Sequence, residues 1–267
     1  MKRVIIPERW EKIIEMVEEK GSVSVEEIAQ ALSISTPTVR RDLARIHQRG
    51  LIKRTRGGAA PSAQRQVGLT VAESRRVNPI EKELIGQVAA ELVEPGESVM
   101  MDGGFTTYQV ARHIQANNVK VVTNSFDVVQ ALIGRGDIGL VVLGGEMLFD
   151  SGTTVGPSAE RQIREMTADK AIIGINGISP EDGLYADKQS TAQTKIAMIE
   201  RSKEVIIVAD YSKLGRSALY NVAPIESVTT LVTDDKADEA ILNAFRNAGV
   251  EVLVASANDA NNSHKGE

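Results

Sequence analysis

The sequence contains no cysteine, which excludes disulfides, thiolate metal sites and cysteine nucleophiles. Its three histidines, His47, His113 and His264, are scattered, and none has a His or carboxylate partner at metal-ligand spacing. No metal or other cofactor is expected. No apolar run approaches the roughly 20 residues that a membrane helix needs, and the charged start MKRVIIPERWEK lacks the form of a signal peptide. A cytoplasmic protein with no membrane partner is the expectation. Complete G-x-x-x-x-G-K-[ST] and G-x-S-x-G motifs are missing, so ATP and hydrolase readings lack support. What remains is an ordinary globular composition, 42% hydrophobic and 25% charged, with ample residues for a sizeable core. A length of 267 residues suggests about two domains.

The net charge of -5 hides an asymmetry. Residues 1–60 carry twelve Lys/Arg against eight Asp/Glu, an excess of four positive charges, which leaves −9 on the other 207 residues. Between Ser35 and Gly58 lie seven basic residues and a single acid, Asp42. A dense basic stretch in an acidic chain suggests a nucleic-acid-binding module joined to something else; the alternative is a solvated helix face. Pattern decides between them.

A first helix over about Glu8–Lys20 places Trp10, Ile13, Ile14 and Val17 on one face and stops at Gly21. Ser24, three residues before Glu27, forms a capping box for a second helix bearing Val25, Ile28, Ala29 and Leu32. A third helix begins at Ser35, with Pro37 in its first turn. At about 100° per residue, Val39, Leu43 and Ile46 form one narrow stripe that must face the core. Pro37, Arg41, Arg45 and Gln48 then point away, with Thr38 and Arg40 on the flanks: the cationic, hydrogen-bonding face that a helix in the major groove needs. Asp42 falls near the buried edge, as a structural ion-pair partner would. After Gly50, LIKRTRGGAA reads as a short strand and a Gly57-Gly58 turn, a β-wing that places cations near phosphates. Helix, helix, helix and wing make a winged helix-turn-helix. The alternative is a small protein-docking domain.

The segment SISTPTVRRDLARIHQRGLIKRTRGGAA resembles the DNA-binding signature of the DeoR family of bacterial transcriptional regulators. Ser35, Thr38, Arg40, Arg41, Asp42, Leu43, Arg54, Gly57, Gly58 and Ala59 match that signature, with Arg56 where many members carry His. The expected DNA contacts are Ser35, Thr36, Thr38, Arg40, Arg41 and Arg45 from the helix and Lys53, Arg54 and Arg56 from the wing, on double-stranded operator DNA.

From Pro61 to about Asn78 no period is sustained, which reads as a linker whose Arg75 and Arg76 are solvated or reach DNA or an effector phosphate. Beyond it, the apolar runs SVMMDGG, VKVVTNS, GLVVLGG, DKAIIGING, EVIIVAD, SVTTLVTDD and VEVLVAS alternate with helical stretches. Near-continuous apolar strands between helices argue for a mostly parallel sheet covered on both faces, a Rossmann-like α/β domain. The expected division is a winged helix-turn-helix at 1–60, a linker at 61–78, an α/β effector-binding domain at 79–257 and a disordered polar tail at 258–267.

In such a sheet ligands bind where the strands end. The exits read Asp102-Gly103-Gly104-Phe105-Thr106-Thr107, Thr123-Asn124-Ser125, Gly144-Gly145-Glu146, Gly174-Ile175-Asn176-Gly177 and Asp210-Tyr211-Ser212-Lys213. Glycines admit an anion to backbone N–H groups, Thr, Ser and Asn add donors, and Lys213 adds a cation. Taken singly, Thr106, Thr107 and Ser125 read as N-caps, Asp102 as a cap or loop holder, and Lys195 as a solvated helix residue. Together the exits suggest a pocket for a small phosphorylated, hydroxyl-rich ligand.

The resemblance continues to about residue 255, and DeoR-type effector domains are similar to ribose-5-phosphate isomerases. Asp102, Gly104, Thr106 and Thr107 match the family's Asp-x-Gly-x-Thr loop, Thr123, Asn124 and Ser125 its Thr-Asn loop, and Gly144 and Gly145 its Gly-Gly. Lys195 and Lys213 match as well. The resemblance therefore implies an effector site of Asp102, Gly104, Thr106, Thr107, Thr123, Asn124, Ser125, Gly145, Lys195 and Lys213. Two departures stand out. Gln193 replaces a Glu two residues before the Lys, and an amide cannot accept the proton a base must take. Phe105 fills a position that is usually small or polar, where it would narrow the pocket or stack on a sugar.

The expected protein is not an enzyme. It is a repressor of carbohydrate-metabolism genes whose operator affinity changes when a phosphorylated sugar binds, acting as a homodimer or higher oligomer because one winged helix reads few base pairs. The alternative is a sugar-phosphate isomerase with an N-terminal docking module.

Overall fold

The computed structural model describes residues 8–48, 52–61 and 74–257. The chain divides into two compact units, Met1–Leu69 and Thr70–Glu267. The tail at 258–267 and most of the expected linker lie outside the described residues; of the linker, Pro61 belongs to a strand.

In the first unit, α1 (Glu8–Lys20), α2 (Val25–Leu32) and α3 (Thr36–Gln48) are followed by a hairpin of β2 (Ile52–Arg54) and β3 (Gly58–Pro61). A two-residue strand, β1 (Val23–Ser24), pairs with β3, so the sheet order is β1-β3-β2, all antiparallel. The Ser24 capping box forms as expected, its hydroxyl accepting from Glu27 N and Glu27 accepting from Ser24 N. Trp10, Ile13, Ile14 and Val17 of α1 pack with Val39, Leu43 and Ile46 of α3 and with Ile52 and Ala59 of the wing. Gly58 is required here, because a Cβ would stand 2.0 Å from the carbonyl oxygen of Val23 across the β1–β3 pair.

Asp42 is buried and accepts from Arg9 Nε at 2.7 Å and from Trp10 Nε1 at 3.0 Å, tying α3 to α1. Asp42→Ala would strand the buried indole N–H, so a loss of about 1–3 kcal/mol is expected. Urea unfolding of the two proteins, followed by circular dichroism, measures it.

The second unit holds a seven-stranded sheet, all parallel. Its strands are β4 (Ser98–Met101), β5 (Val119–Thr123), β6 (Ile138–Val142), β9 (Ala168–Gly174), β12 (Ser202–Val208), β14 (Thr230–Asp234) and β15 (Glu251–Ala255). The order is β15-β14-β12-β9-β4-β5-β6. The central strands are apolar on both faces because both faces are covered, whereas the edge strand β6 exposes Val141 and Val142. Met100, Ile173 and Ile207 join one core, with Met198 and Phe245; Val99, Met101, Ile172 and Ile206 join the other, with Ile85, Val110 and Val128. The covering helices include α4 (Pro79–Glu91), α5 (Phe105–His113), α6 (Phe126–Leu132), α7 (Pro157–Arg164), α8 (Gln189–Glu200) and α9 (Glu239–Asn247). Two small antiparallel sheets were not expected from sequence: the hairpin β7 (Glu146–Leu148) with β8 (Thr153–Val155), and β10 (Gly177–Ser179), β11 (Gly183–Ala186) and β13 (Tyr220–Ala223) in that spatial order. At three or four residues each, they are too short for a period to register.

Candidate functional site

On α3, Val39, Leu43 and Ile46 are buried while Arg40, Arg41 and Arg45 are exposed, as helical spacing required. Ser35 is exposed and Thr36 and Thr38 half-buried at the start of the helix, with the Ser35 and Thr38 hydroxyls 2.8 Å apart. In the wing, Lys53 and Arg54 are exposed on β2, and Arg56 is exposed in the turn rather than in a strand. None of these six cations is ion-paired among the described residues. The face carries unneutralised positive charge beside hydrogen-bonding hydroxyls, which suits a groove lined by phosphates.

In the second unit the sheet is wound outward in both directions from the neighbours β4 and β9, so a topological switch point lies between them. Asp102 follows β4 and Gly174 closes β9. Asp102 Oδ1 accepts from Gly174 N at 2.9 Å, and its Oδ2 accepts from Lys195 Nζ, which also donates to Gly174 O at 2.9 Å. Both ends of this ion pair are buried. Burial pushes the Asp102 carboxyl up, against the opposing pull of Lys195 and of the Gly174 N–H. The solvated reading of Lys195 is thereby replaced: α8 turns it inward, to the partner its sequence position could not reveal.

Around the pair lies a small cleft of about 40 Å³, lined by Asp102, Gly103, Asn124, Ser151, Thr153, Thr191, Thr194 and Lys195. Gly103 admits the β7–β8 hairpin, since a Cβ there would sit 2.0 Å from Thr153 Cγ2. Asn124 Nδ2 donates to Thr154 O at 2.7 Å, which fixes the amide and leaves Oδ1 a buried acceptor with no hydrogen-bond partner among the described residues. A buried orphan acceptor beside hydroxyls and an ammonium is chemistry for a ligand that donates hydrogen bonds.

Of the ten residues expected to bind effector, Asp102, Asn124 and Lys195 line this cleft. Several others shape the loops behind it. Thr107 Oγ1 donates to Gly104 O at 2.9 Å, and Thr123 Oγ1 donates to Met101 O at 2.7 Å while accepting from Ser125 N at 3.0 Å. Ser125 caps α6 through Val128 N at 3.4 Å, and Thr106 is buried. Gly145 packs against the β8 backbone, and Lys213 belongs to a neighbouring cluster around Asp210. Ser151, Thr153, Thr191 and Thr194 were missed by sequence reasoning. They sit on the unforeseen hairpin and on a helix, away from the strand exits that supplied the signal. Phe105 is not among the residues that line the cleft; its ring stacks on that of Tyr108, with centroids 5.7 Å apart.

In the Asp210 cluster, Asn78 Nδ2 donates to Asp210 Oδ1 at 2.8 Å, and Lys82 donates to Ser74 O at 2.7 Å while lying 3.8 Å from Asp210 Oδ2. Burial pulls the Lys82 ammonium down to about 8 from its ordinary 10.5, opposed by Asp210. At neutral pH both folded and unfolded chains are protonated there, and the full cost of burying the charge is present. As pH rises from about 8 towards 10.5, the folded lysine loses its proton first, so its contribution to stability grows. The unfolding free energy relative to Lys82→Met should therefore climb over that window, by up to about 1.4 kcal/mol per pH unit. A pH-independent difference in urea unfolding would show that Lys82 stays charged.

Among the described residues no group of three or more His, Cys, Asp or Glu could hold a metal ion, and no helix is long and apolar enough to cross a membrane.

A winged helix-turn-helix with a cationic reading face, joined in one chain to a parallel α/β unit with a polar cleft at its switch point, defines a DNA-binding transcriptional regulator with a second, sensing unit. Residues 9–65 match the DeoR-like helix-turn-helix domain and residues 77–235 the DeoR C terminal sensor domain. The chain belongs to the DeoR family of transcriptional regulators. It is 32% identical over 248 residues to the HTH-type transcriptional repressor GlcR of Bacillus subtilis, covering 92% of this chain and 95% of that one. To the glycerol-3-phosphate regulon repressor of Escherichia coli it is 34% identical over 229 residues, covering 85% and 90%. Among solved structures, ribose 5 phosphate isomerase A from Neisseria gonorrhoeae matches with a TM-score of 0.36 and 17% identity, covering 50% of this chain and 52% of that one.

Proposed function

We propose that this regulator is a repressor whose operator affinity is changed by a small phosphorylated sugar or polyol held in the β4–β9 cleft. The observation that carries this reading is the buried, unpartnered Asn124 Oδ1 beside Lys195 and four Ser/Thr residues, a lining suited to a hydroxylated anion. The Gly103-Gly104 entry to α5 supports a phosphate, because the free N–H groups and dipole of a helix start attract one. Turnover is not part of the reading. Asp102 is committed to Lys195 and Gly174, and Gln193 offers no base. The contacts assigned to DNA are Ser35, Thr36, Thr38, Arg40, Arg41, Arg45, Lys53, Arg54 and Arg56. Two such heads, hence at least a homodimer acting in the cytoplasm, give the specificity a single head lacks.

A gel shift tests the reading. The DNA flanking the protein's own coding region is the probe, with and without glycerol 3-phosphate, glucose 6-phosphate and ribose 5-phosphate. Glycerol 3-phosphate is included because one relative is named for its regulon. Binding relieved by one phosphate is the expected result. Binding indifferent to every phosphate, with no thermal shift, would sink the effector reading while leaving the regulator.

A further inference from the structure

Residues 74–78 lead into α4, and Arg75 in this segment is tied to the α/β unit. Arg75 donates to Asp127 Oδ1 at 2.6 Å, and its guanidinium lies 5.7 Å from the Phe105 ring centroid and 5.5 Å from that of Tyr108. These partners belong to two different helices, α5 and α6. Phe105 opens α5, two residues after Gly103; Asp127 lies in the first turn of α6, three residues after Asn124. Gly103 and Asn124 both line the cleft. One side chain thus bridges the N-terminal ends of the two helices that follow Gly103 and Asn124.

We infer that the Arg75 clamp is the element that passes occupancy of the cleft to the DNA-reading unit, an inference that rests on the effector reading above. The guanidinium can keep a ring face and a carboxylate only at one separation of the β4–α5 and β5–α6 loops. A ligand that draws Gly103 and Asn124 together or apart changes that separation and must strain one contact. With Arg75 partly exposed, each contact is individually weak, so the clamp is open to switching by ordinary binding energy. Asn78, three residues on, is held by Asp210 and marks the fixed end of the segment. A released Arg75 would therefore free the chain on its N-terminal side while leaving α4 in place. Such a two-position element, biased by one site and read at another, is what coupling between sites requires.

The test compares wild type, Arg75→Ala, Asp127→Asn and the double variant. Each is assayed for thermal shift with the three phosphates named above and for operator affinity with and without the active one. Asp127→Asn breaks the same link from the other side and keeps the test valid if Arg75→Ala folds poorly. The expected result is a retained thermal shift and unchanged operator affinity without ligand. The ligand-induced change in operator affinity, at least tenfold in wild type, falls at least fivefold in each single variant and no further in the double. Single variants that respond to ligand like wild type overturn the clamp while leaving the cleft. No thermal shift in wild type with any phosphate overturns the cleft reading, and the clamp with it.

Discussion

Arg41→Ala is expected to weaken operator binding by about ten- to a hundredfold, the scale of about 1–3 kcal/mol for one good base contact. Arg41 stands on the exposed side of α3, opposite the buried stripe of Val39, Leu43 and Ile46, and has no acidic partner among the described residues. Removing it costs no packing, so the melting temperature should hold while affinity falls. Titration against operator and against scrambled DNA separates base reading from phosphate attraction. A base contact loses operator affinity selectively, whereas a phosphate contact weakens both DNAs alike and lowers the salt slope by about one. Arg54 in the wing should follow the second pattern. Unchanged operator affinity in Arg41→Ala would remove α3 as the reading helix.

The second large effect is expected at the switch point. Lys195→Ala leaves the carboxylate of Asp102 buried without its counter-charge, and breaking a buried pair from one side costs about 3–5 kcal/mol. The loss should depend on pH with a definite sign. Asp102 already has its proton affinity raised by burial, and without Lys195 it is raised further. A carboxyl whose folded pKa lies above its unfolded value destabilises the fold as pH rises through that window. The variant should therefore be less impaired at pH 5 than at pH 8. Adding Asp102→Asn to Lys195→Ala should recover much of the stability but not the response to a phosphate. Urea unfolding at the two pH values, with and without the second substitution, checks each step. An equal loss at both would mean that the pair carries no net charge burden.

The sheet was legible because its central strands face a core on both sides. The runs VMM, AIIG and VIIV state that condition directly. The winged helix was legible for a different reason: one amphipathic helix carries both the buried stripe and the cations at fixed angular offsets. The cleft was only partly readable. Asp102 and Asn124 announce themselves at strand exits, but Lys195 looks like any lysine on a helix until α8 is docked against β9. Thr191 and Thr194 share its helix. Ser151 and Thr153 arrive on a hairpin whose strands are three residues long. Local pattern carries no record of which distant element will close a pocket. Arg75 illustrates the same limit, since its partners lie some thirty and fifty positions away.

Trp10 is the single tryptophan of the chain, and it is buried on α1 with its indole N–H on Asp42 of α3. Nature has thus placed an intrinsic fluorophore in the output module and none in the receiver. Emission excited at the indole band reports the surroundings of the reading helix alone, without labels and without background from the α/β unit. Ligand added to the receiver changes that signal only if the message arrives.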